Sequence, residues 1–117
     1  SYAEILANAI YDSIKNDKRN IVIIASSDLS HYHPYAEAVT LDNNTIEDIL
    51  SLDENKLWRD LVDKKAEMCG YGPVMTAMIL AKKLGYNKPV LLKYANSGDT
   101  AGNKDRVVGY AAIAFAR

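Results

Sequence analysis

The sequence predicts a single α/β domain over residues 1–117, with a mixed sheet flanked by helices. Three observations predict it. Ile21–Ala25 is a short apolar run rich in β-branched residues, entered through Asn20, which is the pattern of a strand buried on both faces. Val90–Ala95 and Val107–Phe115 are also strand-like. Elsewhere, apolar residues recur at the three- and four-residue spacing of amphipathic helices.

Taken in order, Ile5, Leu6, Ala9, Ile10 and Ile14 predict a helix over roughly residues 2 to 16, ended by Asn16, Asp17 and Asn20. The buried strand Ile21–Ala25 follows. Tyr35–Thr40 predicts a short helical turn. Asn44-Thr45-Ile46-Glu47 fits a capping box, with Asn44 as cap and Ile46, Ile49 and Leu50 forming the apolar face behind it. Leu57, Trp58, Leu61 and Val62 mark a helix from about Glu54 to Glu67, whose Lys64, Lys65 and Glu67 read as a solvated side. Pro73 suits the first turn of the next helix because no amide hydrogen is needed there. That helix runs to Leu84 with Val74, Ala77, Met78 and Ala81 inward, and Gly85 stops it by taking the left-handed conformation freely. The last two strands form an expected antiparallel pair, joined by a polar loop, Asn96–Arg106, too rich in glycine for core.

Composition narrows the function. The chain is 49% apolar and 25% charged with a formal net charge of −1, and no basic stripe argues for nucleic acid or an anionic membrane. No apolar stretch approaches the roughly 20 residues that span a bilayer. One cysteine, Cys69, excludes an internal disulfide and a cysteine-rich zinc site, so the simplest expectation is a reducing, cytoplasmic setting. The sequence starts in helical residues at Ser1 without a methionine, and the strand that would complete a βαβ unit with Ile21–Ala25 would precede it. The chain is therefore expected to be cut from something longer.

Asp28 and His31 are spaced D-x-x-H on the loop after the first strand, where ligands collect in open α/β sheets. An imidazole titrates near neutral pH and a carboxylate can orient it, which suits acid–base work or metal binding. The plainer alternative is an aspartate capping local amides beside a half-exposed histidine. His33 reads as a surface residue. Cys69 stands at the amino end of the helix that begins near Pro73, where amide hydrogens and the helix dipole favour a thiolate, hence a nucleophile or soft-metal ligand. The commoner fate of a lone cysteine is to be buried and inert. Asn96, Ser97, Asp99 and Thr100 could add hydrogen bonds to a ligand, or belong to an ordinary solvated loop. Tyr32, Tyr35 and Tyr71 flank these polar residues and could wall a pocket.

In order, SSDLSHYHPY at Ser26–Tyr35, CGYGP at Cys69–Pro73, and YANSGDTAG with VVGYAAIAF near the end resemble the Memo-like family, also known as the AmmeMemoRadiSam protein B group. The resemblance covers essentially the whole chain. It implies a fold related to the class III extradiol dioxygenases, which hold non-haem iron by two histidines and a carboxylate. It also implies that Cys69 stands where those enzymes place their carboxylate ligand and His31 where they keep an acid–base histidine. Thiolate in place of carboxylate favours softer ions such as Cu(I) and argues against ring-opening dioxygenase activity. Family members carry two further metal-binding histidines in an amino-terminal half, so this chain corresponds to the carboxyl-terminal half and is expected to partner that missing half.

The resulting expectation is a metal-binding protein, with Fe(II) or copper held by Cys69 and His31. Asp28 and His31 would be the acid–base pair, and Asn96, Ser97, Asp99 and Tyr32 would line the pocket. Two rivals remain: an extradiol-type dioxygenase or metal-dependent oxidoreductase acting on a small aromatic substrate, and a non-catalytic module binding a peptide or protein in the same pocket. An inactive folding unit is the plainest reading, and its exposed edge would open a route to homo-oligomers.

Overall fold

A computed structural model describes all residues from Ser1 to Arg117. The order of elements is α1 (Tyr2–Ile14), β1 (His31–His33), α2 (Tyr35–Leu50), α3 (Glu54–Val62), α4 (Tyr71–Leu84), β2 (Lys88–Asn96), α5 (Gly98–Ala101) and β3 (Val107–Ala116). The architecture is α/β: five helices around a three-stranded sheet of order β1-β3-β2. No helix is long and apolar enough to cross a membrane.

The expected antiparallel pairing of the last two strands is present. β2 and β3 pair antiparallel from Lys88↔Ala116 to Asn96↔Gly109, with a bulge between Leu91 and Lys93. β1 pairs with the start of β3, His31 opposite Val108. All pairings are antiparallel, so the mixed sheet is not realised. Its parallel component depended on Ile21–Ala25, which joins no sheet: no backbone group from Ile21 to Ala25 bonds to another backbone group. Ile21, Val22, Ile23 and Ile24 are exposed rather than buried, because a strand without a bonded neighbour has nothing to bury it.

Helix ends follow local chemistry. Ser1 Oγ accepts from the Glu4 amide to cap α1, and Asp53 accepts from the Lys56 amide to cap α3. Gly85 ends α4 at φ 83°, as its position predicts. α1 packs against α4 and buries Ala3 and Ala7, while Ile5 and Leu6 stay exposed. The predicted turn at Tyr35 and the helix behind Asn44 are one helix, α2, beginning after Pro34. Asn44 is therefore no cap: its side-chain amide donates to the Lys65 carbonyl. α3 stops at Val62, short of Glu67, where Asp63 caps it and Lys64 turns left-handed at φ 59°. Leu29, Ile46, Ile49, Leu57, Met68, Val74 and Met78 form the core, and Leu29 fastens the Asp28–His31 segment to it.

Candidate metal centre

Three chain segments meet at the candidate site. Leu29 N donates to the Gly109 carbonyl and Gly109 N to the Ser30 carbonyl, at 2.9 and 3.0 Å, so the segment is tied to β3 before β1 begins. Ser30 N donates to Asp42 Oδ1 at 2.9 Å, and Asp42 also accepts from Tyr94 Oη at 2.5 Å. Asp42 is wholly buried within α2. Burial, and then the Asp42 carboxylate, push the Tyr94 phenol well above its ordinary range. Gly109 makes room for this clasp: a Cβ there would stand 2.0 Å from Asp42 Oδ2.

Cys69 reaches the site from just before α4. Gly70 N donates to Ser27 Oγ at 2.8 Å, and Ser27 Oγ donates to the Asp28 carbonyl at 2.6 Å. Ser27 Oγ lies 3.7 Å from Cys69 Sγ. A Cβ on Gly70 would stand 2.5 Å from the Ser26 carbonyl oxygen, so glycine is what lets the two segments touch. The consequence is chemical. Asp28, His31 and Cys69 each offer one ligand atom, and these atoms all lie within 4.8 Å of one another. His31 Nε2 is 3.4 Å from Asp28 Oδ2, and Cys69 is exposed rather than buried.

Glu67, read from sequence as solvated, instead braces the site. Its Oε1 accepts from His31 N at 2.8 Å and its Oε2 meets His33 Nε2 at 2.8 Å. Glu37 approaches the other ring nitrogen of His33 at 3.4 Å. The Glu67 hydrogen bond is the main cause of a raised His33 pKa. The signal in the sequence was Glu67's place between Ala66 and Met68, both buried. Between the two histidines Tyr32 adopts φ 64°, with its ring 5.7 Å from that of His31 and under the Arg106 guanidinium at 5.0 Å.

The remaining predicted residues lie outside this three-residue group, and Asn96, Ser97 and Asp99 bond within their own loop and to β3 and α2. Asn96 is buried, contrary to the solvated-loop reading; its Oδ1 accepts from Gly98 N and its backbone N donates to Asp99 Oδ2. Ser97 Oγ accepts from Val108 N. Asp99 Oδ1 accepts from Tyr35 Oη at 2.5 Å, the chief reason that carboxyl is held below its ordinary range. Tyr71 packs on Trp58. A groove of about 790 Å³ runs not beside the ligand group but along Ile21–Ala25.

Residues 1–114 match the family model described as Memo-like protein. A MEMO1 family protein of Sulfolobus acidocaldarius is 49% identical over 113 residues, covering 97% of this chain and 39% of the relative. A MEMO1 family protein of Saccharolobus solfataricus is 49% identical over 114 residues, covering 97% of this chain and 40% of the relative. The chain thus spans about two-fifths of the length of the curated relatives it matches. On the match from end to end and on this identity, the chain belongs to the Memo-like family.

Proposed function

We propose that Asp28, His31 and Cys69 bind a transition-metal ion, copper or iron, in a reducing compartment. The observation that carries this reading is the convergence of a carboxylate, an imidazole and a thiol within 4.8 Å. The donor chemistry fits: thiolate and imidazole together suit ions of borderline or soft character. A cytoplasmic setting fits too, because it leaves a single exposed thiol free to coordinate.

The chain's own residues prepare the donors. Ser27 and Gly70 hold the Cys69 backbone against the Asp28 segment. Glu67 holds the His31 backbone, which steadies the ring from behind. Asp28 lies close enough to hydrogen-bond the His31 ring at Nε2, and so to orient it. A bound copper or iron ion would supply redox chemistry to a small substrate reaching this exposed edge.

The test is anaerobic titration with Fe(II), Cu(I) and Zn(II), each offered alone. We expect stoichiometric binding of at least one ion with a thiolate-to-metal absorption band. Cys69→Ser should remove the band and weaken affinity about a hundredfold. Affinity unchanged in Cys69→Ser would overturn the ligand assignment.

A further inference from the structure

Of the four longer helices α3 is the least anchored: within Glu54–Val62 only Leu57 is buried, against six residues of α2 and five of α4. Nine residues are too few to hold a helix by its own hydrogen bonds. A groove of about 670 Å³ is lined by Trp58, Leu61 and Val62 of α3 together with Glu37 and Leu41 of α2. A cluster of three charges completes the attachment. Asp48 of α2 is wholly buried. Its Oδ1 accepts from Lys56 Nζ of α3, and the same ammonium donates to Asp60 Oδ2 at 3.4 Å. Asp48 Oδ2 is buried as well and has no hydrogen-bond partner. A buried acceptor without a donor is costly, and here two carboxylates share one ammonium. A proton on Asp48 Oδ2 removes both faults, because it cancels one charge and gives Asp60 a donor.

We propose that Asp48 and Asp60 share one proton, carried on Asp48 Oδ2, and that this proton is a pH-sensitive latch holding α3 to α2. Burial, and then the hydrogen bond with Asp60, raise the Asp48 carboxyl above its ordinary range, with Lys56 opposing. That hydrogen bond is the chief reason the Asp60 carboxyl is held below its own, with Lys56 and Lys65 adding to the effect. Two carboxyls pushed apart in this way hold one proton between them. Asp48 binds its proton more tightly in the folded chain, so its share of the hold is complete below the ordinary value of 3.8 and is lost as pH rises through the higher folded value. Asp60 works the other way, its share being lost as pH falls through its depressed folded value. The latch is therefore firmest between the two values and loosens above the higher one. Its release reaches the thiol segment: Trp58 of α3 meets the Tyr71 ring at 5.7 Å, and Tyr71 stands two residues beyond Cys69.

The experiment titrates the metal-free 117-residue chain between about pH 3 and 8. Carbon NMR follows the labelled aspartate carboxyls, and hydrogen exchange follows the α3 amides, corrected for intrinsic base catalysis. Fluorescence follows Trp58, the single tryptophan. We expect the Asp48 carboxyl to titrate above 3.8 and that of Asp60 below it. As pH rises through the Asp48 transition, α3 protection should fall about fivefold while α4 holds, and Trp58 emission should shift over the same range. Asp48→Asn supplies a donor toward Asp60 at every pH, so the pH dependence of both α3 signals should vanish with the helix still protected at neutral pH. Where that variant does not fold, Asp60→Asn offers its amide to Asp48 Oδ2 and should give the same flat profile. An Asp48 carboxyl that titrates at or below 3.8 in the unmodified chain would overturn the shared proton. Protection of α3 that is unchanged across the Asp48 transition would overturn the latch.

Discussion

Residues 21–25 and 29–33 lie a few positions apart in one chain and are held in opposite ways. The first set is aliphatic, without backbone partners, and largely open to solvent. The second begins with Leu29 and Ser30, both buried, and is bonded to β3, to Asp42 and to Glu67. Hydrophobicity is therefore a poor guide to which half is inside. A strand is buried by neighbours that accept its hydrogen bonds. Within this chain those neighbours, two of them carboxylates, stand around residues 29–33. The candidate metal donors lie at the junction, with Asp28 beside the fastened half and Cys69 reached through Ser27.

Substitutions can break this contrast. The largest expected effect is at Gly109→Ala, whose Cβ would enter the Asp42 carboxylate, itself bonded to Ser30 and Tyr94. Nothing there can yield, so urea unfolding should show a loss of about 3 kcal/mol. Gly70→Ala makes a similar clash with the Ser26 carbonyl, but against chain that no backbone partner holds. It should cost only about 1 kcal/mol. Equal losses at the two glycines would show that the contrast is false.

His33→Gln sharpens the fastened side through pH. Glu67, and secondarily Glu37, raise the His33 pKa above 6.5 in the folded protein. The stabilisation is therefore complete below that value and is lost as pH rises through the higher folded value. In metal-free protein the substitution should cost up to about 1 kcal/mol near pH 6 and nearly nothing well above the folded pKa. A cost independent of pH would mean that the ring acts by packing alone. The smallest effect belongs to the open run. Val22→Thr with Ile24→Thr should leave the stability of the free chain within about 0.5 kcal/mol, because both side chains already face water.

What could be read from sequence divides along the same line. α1, α4, its glycine stop and the β2–β3 hairpin were legible because each is decided by spacing within a few residues. Asp28, His31 and Cys69 could be singled out by residue type, and the fold brings them within 4.8 Å of one another. Asn44 was misread because a capping box is a four-residue pattern, whereas the helix through it is set by Ile46 and Ile49 packing into the core. Asp42 was missed altogether, since an aspartate on a helix ordinarily faces water. Its signal was position: Ala38, Asp42, Thr45, Ile46 and Ile49 share the buried helical face. Glu67 was misread for the reason that Ile21–Ala25 was: partners distant in sequence, present for one and absent for the other, decide burial.

The left-handed residue at position 32 bears on how one tripeptide can hold two dissimilar imidazoles. In an unbroken strand, side chains two positions apart share a face, and His31 and His33 would meet the same surroundings. With Tyr32 at φ 64° they do not: one ring faces Asp28, the other Glu67 and Glu37. A bulky residue in that conformation stores about 1–3 kcal/mol of backbone energy. That energy maintains an asymmetry, with one imidazole engaged by two glutamates and the other beside Asp28 and the Cys69 thiol.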